Sequence, residues 1–115
     1  MTSEAIRFLL EDMRAYAAEA IEITGDRESD EIVAERLREH GVLRTVQIVG
    51  EAAAQVLRLQ PEGLEGVELR EATRIRNILV HGYGKIRMNL IVSVVRDDLP
   101  RLITALDRVL GKTIT

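Results

Sequence analysis

Arg70-Glu71-Ala72-Thr73-Arg74-Ile75-Arg76-Asn77-Ile78-Leu79-Val80-His81-Gly82-Tyr83-Gly84 is the stretch on which the reading of the chain turns. Its apolar residues recur at helical spacing, and Gly82 and Gly84 end the helix they define. It also gathers chemistry. The chain has two histidines and two tyrosines, and one of each stands here beside an arginine and a helix-breaking glycine. Asn77 and His81 are four apart and share a helix face, as do Arg76 and Tyr83, seven apart. Arg76 and His81 are five apart, about 140° round a straight helix, so one intact helix does not pair them easily. They converge if the last turn distorts at Gly82, or if a second chain brings its own copy. The stripe Leu69, Ala72, Arg76, Leu79 and Val80 puts Arg76 on the apolar face, where an unpaired guanidinium is costly. A carboxylate, a carbonyl or a ligand phosphate is then expected to accept from it.

Outward from this stretch, the other segments also read as helices. Thr2 or Ser3 caps a first helix with Ile6, Leu9, Leu10, Met13, Ala17, Ala20 and Ile21 inside, and Gly25 takes the C′ place after Thr24. Ser29 caps a short helix that buries Ile32, Val33 and Leu37, with Gly41 a place for a bend or a break. Val42, Val46, Val49, Ala53 and Val56 mark a long helix ending near Leu59. Its middle, Gly50-Glu51-Ala52-Ala53-Ala54, is small enough for another helix to cross closely. Pro61, Gly63 and Gly66 form the clear loop. Asn89 caps a last helix buried through Ile91, Val95, Leu99, Leu102, Leu106 and Val109, which Pro100 should kink near Arg96. No alternating strand, repeat or low-complexity tail interrupts the pattern. The expected fold is all-α, an antiparallel bundle of four main helices plus a short one, in a single domain over residues 1–115.

Composition sets limits. Apolar residues make up 46% of the 115, aromatics only 3%, so the core is aliphatic. The net charge of −3 argues against a protein that coats nucleic acid, yet the charge is unevenly placed. Residues 1–31 carry a net −6, whereas residues 70–87 carry a net +4 from Arg70, Arg74, Arg76, Lys85 and Arg87 against Glu71. No cysteine offers a disulfide or a thiolate metal site. Glu4, Arg7 and Glu11 stand where a signal peptide would be apolar, and no run of about 18 apolar residues exists, which fits a soluble cytoplasmic protein without a membrane span.

The residue types at 76–83 suit metal-free RNA cleavage. The 2′-hydroxyl must lose a proton, the 5′ oxygen must gain one, and the phosphate's growing charge must be neutralised. A histidine near neutral pH serves the proton transfers. An arginine's planar fork matches two phosphoryl oxygens. At a helix C-terminus the dipole favours protonated His81, as a general acid requires, and Asn77 one turn earlier is placed to orient it or to bind phosphate. Arg70 and Arg74 are either a solvated face or contacts for RNA phosphates. The plain alternative is that Arg76 and His81 cap a helix end and satisfy a buried carboxylate such as Glu51. His40 reads as solvated, and adjacent Asp97 and Asp98 do not face each other as a dyad would.

Arg76-Asn77-x-x-x-His81-x-Tyr83 resembles the R-x4-H-x-Y motif of HEPN-domain ribonucleases, in particular their HepT-like branch. Two further blocks occur in the same order and at similar spacing. Arg44-Thr45-Val46-Gln47-Ile48-Val49-Gly50-Glu51-Ala52 resembles an R-N-L-x-I-I-G-E-A stretch, and Asp97-Asp98-Leu99-Pro100 resembles E-D-L-P. Thr45 departs from the usual Asn, and Leu69 stands near the place of a frequent tryptophan. The resemblance implies a ribonuclease toxin of a type II/VII-like toxin–antitoxin pair, with Arg76 and His81 catalytic, Asn77 supporting them, and Arg70, Arg74 and Lys85 on the RNA phosphates. It implies no metal and no cofactor. It further implies a homodimer with a shared cleft, transfer RNA as favoured substrate, and an MNT-type nucleotidyltransferase antitoxin that transfers AMP to Tyr83. A non-catalytic helical adaptor that only docks a nucleotidyltransferase is the competing expectation.

Overall fold

The computed structural model of the chain describes residues 3–59, 61–81 and 84–111; the side chains at 3, 81 and 84–86 lie outside this description. Six α-helices and one π-helical segment follow in order: α1 (Ser3–Thr24), α2 (Ser29–Ala34), α3 (Arg36–Leu59), α4 (Leu69–His81), α5 (Gly84–Ser93), the π segment (Val94–Asp98) and α6 (Leu99–Leu110). The last three run on without a loop, so the molecule is four main helical rods plus the short α2, as the periodicity predicts. Among the described residues there is no strand.

The two long helices α1 and α3 form the spine, with α4 against α3 and α6 against α1. The stripe foreseen for α3 is realised fully: Val42, Val46, Val49, Ala53 and Val56 are completely buried. From α1 come Ile6, Leu10, Met13, Ala17 and Ala20, and from the last rod Ile91, Val95, Leu99, Leu102 and Leu106. Thr45, where the resemblance expects Asn, stays inside because its hydroxyl donates back to its own helix, at 2.9 Å from the Gly41 carbonyl and 3.0 Å from that of Val42.

α1 ends as expected. Gly25 takes φ +54°, and its N–H reaches the Ile21 carbonyl at 2.9 Å. Four other expectations are corrected. The cap of α2 is Glu28 rather than Ser29: the Glu28 N–H donates to the Glu31 carboxylate at 2.8 Å, and Ser29 is buried in the first turn. The helix does not break at Gly41, which lies within α3. The break falls at extended Glu35, whose carboxylate accepts from Arg38 at 2.7 Å. That hydrogen bond and the charge of Arg38 hold the Glu35 carboxyl below its ordinary pKa. Leu37, expected inside, is 86% exposed as the second residue of α3, and Val33 is also exposed, at 37%. Asn89 caps nothing, since it lies within α5.

Pro100 acts where expected but differently. It has no N–H for the Arg96 carbonyl, and the chain absorbs the loss as a five-residue π turn in which Leu99 N–H reaches back to Val94. Arg96 rises from this turn and donates to the carbonyls of Gly25, at 3.4 Å, and of Arg27. Its charge also lies 3.8 Å from the Glu28 carboxylate. The last rod thereby ties the α1–α2 loop. A second tie joins α1 to α6: Arg14 donates from Nε and one Nη, a single edge of its guanidinium, to both Asp107 carboxylate oxygens, at 2.8 and 3.1 Å. Asp107 raises the Arg14 pKa, chiefly through that hydrogen bond.

Burial separates two leucines that composition treats alike. Leu106→Ala should destabilise by about 2–5 kcal/mol through a core cavity. Leu37→Ala should stay within about 0.5 kcal/mol. Urea unfolding followed by circular dichroism measures both, and equal losses would refute the placement of Leu37.

Candidate active site

α4 begins after the loop 61–68, where Gly63 and Gly66 take φ +84° and +94°. It turns Leu69, Ala72 and Ile75 to the core, with Ile78 and Leu79 half-covered. The buried centre is Ile75, not Arg76. Arg76 is exposed, and Val80, expected on the buried stripe, is 68% exposed. The reason is the partner helix. Gly50 of α3 receives Ile75 against its backbone, which rolls α4 so that Arg76 lies at the edge of the contact. The guanidinium therefore needs no buried acceptor. Glu51, the suggested carboxylate, is itself exposed and accepts from Gln47 at 3.1 Å.

The outward face of α4 carries an open groove of about 340 Å³ lined by Arg70, Thr73, Arg74, Arg76, Asn77 and Val80. Positions 70, 73, 74 and 77 follow the spacing of one helix face, and position 81 continues it one turn past Asn77. Among the described residues no carboxylate pairs with Arg70, Arg74 or Arg76. Three exposed guanidiniums without counter-charges, beside the Asn77 amide, form a surface for an anion with several oxygens. Thr73 is tied down: its hydroxyl donates to the Leu69 carbonyl at 2.8 Å.

α4 stays helical to His81, so positions 76 and 81 keep their angular separation within this chain. The imidazole of His81 and the amine of Lys85 lie outside the described side chains, and Tyr83 outside the described residues. Arg70 and Arg74 are exposed, as one reading of the sequence held, whereas Arg76, expected on the apolar stripe, joins them and Asn77 at the groove. Sequence reasoning missed Arg87, which leans from α5 to donate to the Leu79 carbonyl at 3.4 Å and so secures the last turn of α4. A contact across a turn leaves no periodic signal. His40 is exposed, as expected, and Asp98 pairs with Arg101 at 2.7 Å rather than with Asp97. Among the described residues no group of three or more carboxylate or imidazole side chains is placed to hold a metal ion, and no helix is long and apolar enough to cross a membrane.

The family model described as "Ribonuclease HepT-like" matches residues 13–109, a span that includes the whole of α4 and its groove. The chain belongs to the HepT-like ribonuclease family. That membership makes it an RNA-cleaving nuclease by class. A Methanocaldococcus jannaschii protein named as a candidate RNase, MJ1380, is 28% identical over 89% of this chain and 94% of its own length. A Thermococcus cleftensis protein bearing the HepT ribonuclease name is 31% identical over 81% of this chain and 84% of its own. A second M. jannaschii protein, named as a candidate RNase MJ0127, is 23% identical over 96% of this chain and 91% of its own. No solved structure matches the chain.

The exposed position of Arg76 has a measurable consequence. Arg76→Ala should unfold within about 0.5 kcal/mol of the parent, because no buried partner is orphaned. Denaturant titration reads this, and a loss of about 3 kcal/mol, as for a broken buried ion pair, would restore the buried-arginine reading.

Proposed function

We propose that the chain is the ribonuclease toxin of a toxin–antitoxin pair and cuts RNA at the α4 groove, with Arg76 and His81 as its catalytic residues. The observation that carries this is the row of unpaired arginines running along α4 towards His81 in a chain of the HepT-like family. RNA lays its phosphates along Arg70, Arg74 and Lys85. Arg76 takes two oxygens of the scissile phosphate and offsets the charge that grows there. The ribose 2′-oxygen attacks phosphorus as its proton leaves to a base. The 5′ oxygen departs with a proton from the His81 imidazolium, leaving a 2′,3′-cyclic phosphate and a 5′-hydroxyl. Asn77, one turn before His81, orients the imidazole or the phosphate. No metal enters these steps. Transfer RNA is the substrate class the family resemblance favours.

The helical register supports a homodimer. With α4 unbroken to position 81, Arg76 and His81 diverge on one chain, and a second copy of 70–87 facing the first would supply the missing member. Two such basic segments repel unless an anion lies between them, which is where RNA goes. Sedimentation at micromolar concentration should show a dimer, and a stable monomer would sink the shared cleft.

Regulation falls to Tyr83. Its hydroxyl oxygen attacks the α-phosphorus of ATP on an MNT-type nucleotidyltransferase antitoxin, and pyrophosphate leaves. The new phosphate then competes with RNA for the arginines, while the adenosine blocks entry. Intact-mass measurement with antitoxin and ATP should show one AMP on wild type and none on Tyr83→Phe; equal labelling of both would exclude this acceptor.

Purified protein on total RNA, beside Arg76→Ala and His81→Ala, tests the whole reading. Both variants should lose cleavage and keep their helical content. Arg70→Ala and Arg74→Ala should instead weaken RNA binding, each reducing the slope of log affinity against log salt by about 0.7 for single strands. Wild-type cleavage rates in both catalytic variants would place the activity elsewhere on the molecule.

A further inference from the structure

Gly50 sits in the middle of the 24-residue helix α3, with Ala52, Ala53 and Ala54 close behind it. Glycine is the poorest helix former after proline, and alanine the best, so its presence at this one position calls for a spatial reason. A methyl group placed on Gly50 would meet Cβ and Cγ2 of Ile75 at 3.5 Å, an ordinary packing distance. The helix crossing by itself therefore admits alanine. The same methyl would lie 3.2 Å from Cγ of Arg76, closer than two carbon atoms normally rest. Gly50 leaves room for the stem of Arg76, and only secondarily for the core.

We infer that Gly50 is a positioning residue for Arg76: its bare backbone is the surface over which the arginine stem lies, setting where the guanidinium meets the scissile phosphate. This rests on the role proposed for Arg76. The stem of an exposed arginine is otherwise free to rotate about several bonds, and a guanidinium that must hold two phosphoryl oxygens loses rate when its base moves. Ile75, packed on the same glycine, fixes the helix roll, so one residue of α3 sets both the direction of α4's core face and the path of its arginine. A shift of a few tenths of an ångström at Cγ is enlarged along the three bonds to the guanidinium.

Gly50→Ala separates this from a packing role. In the full-length protein, kcat for RNA cleavage should fall about tenfold to a hundredfold. KM should change less than twofold, since Arg70 and Arg74 still hold the substrate, and the midpoint of the rate–pH profile should stay in place. Melting temperature should not fall, because alanine strengthens the helix. A second comparison reads the contact without any activity. Gly50→Ala should raise the melting temperature more in an Arg76→Ala background, where Cγ is gone, than in the parent. A wild-type kcat in Gly50→Ala, or equal melting shifts in both backgrounds, would overturn the inference. If the parent itself cuts no RNA, the ribonuclease reading of the groove fails, and the role in catalysis with it. The melting comparison then decides separately whether Gly50 seats Arg76.

Discussion

The crossing of α3 over α4 is the constraint on which the site depends. α4 is 13 residues long, too short to hold a helix in water by itself. Its stability comes from burying Leu69, Ala72 and Ile75 in the core, with Ile75 laid on the bare backbone of Gly50 in α3. That contact fixes one rotation of α4 about its axis. Once Ile75 is inward, Arg70, Thr73, Arg74 and Asn77 are outward together, and Arg76 lies at the rim beside Gly50. The groove needs no folding information of its own. It is the face left over when the core has taken the other.

Much of this was legible in the residues, and the exceptions share a cause. The valine stripe of α3 and the leucine stripe of the last rod repeat at the helical period over many turns, so one choice of face is plainly best. Gly25 marks its helix end because φ +54° suits few other residues. On α4, two overlapping stripes compete, one through Arg76 and one through Ile75, which share Leu69 and Ala72. Choosing between them takes a neighbour on another helix, which no local pattern encodes. The same holds at Glu35. A glycine inside a helix is tolerated when both flanks are packed, so Gly41 did not have to break the chain. The real break is stabilised by Arg38, whose guanidinium caps Glu35 and also reaches the Ile23 carbonyl at 2.9 Å.

The π turn shows how a local signal can be seen without its outcome being read. Pro100 guarantees that the Arg96 carbonyl loses its usual partner. Whether the helix bends or takes up one extra residue depends on what the inserted turn can touch. Here Arg96 finds the carbonyls of Gly25 and Arg27 at the open end of α1, and Arg14 with Asp107 ties the same two rods farther along. These long-range ties hold the last rod against α1.

α4 also carries the clearest sign that its sequence serves something besides folding. Arg70 stands in the first turn, where the helix dipole disfavours a cation by about 0.3–1 kcal/mol. Arg70 and Arg74 are four apart and repel along the exposed face, at a further cost of about 0.2–0.5 kcal/mol. Glu68, just ahead of the helix, and Glu71, three residues before Arg74, line a second pocket with Ile75, Val94 and Asp98. Among the described residues neither acid forms an ion pair with Arg70, Arg74 or Arg76, although Glu71 stands within one turn of Arg74. Packing on α3 must offset that sum before α4 can form. A helix selected for stability alone would pair its arginines with acids. Leaving them unpaired keeps the arginines available to a polyanion, and the departure from local preference falls at the candidate site.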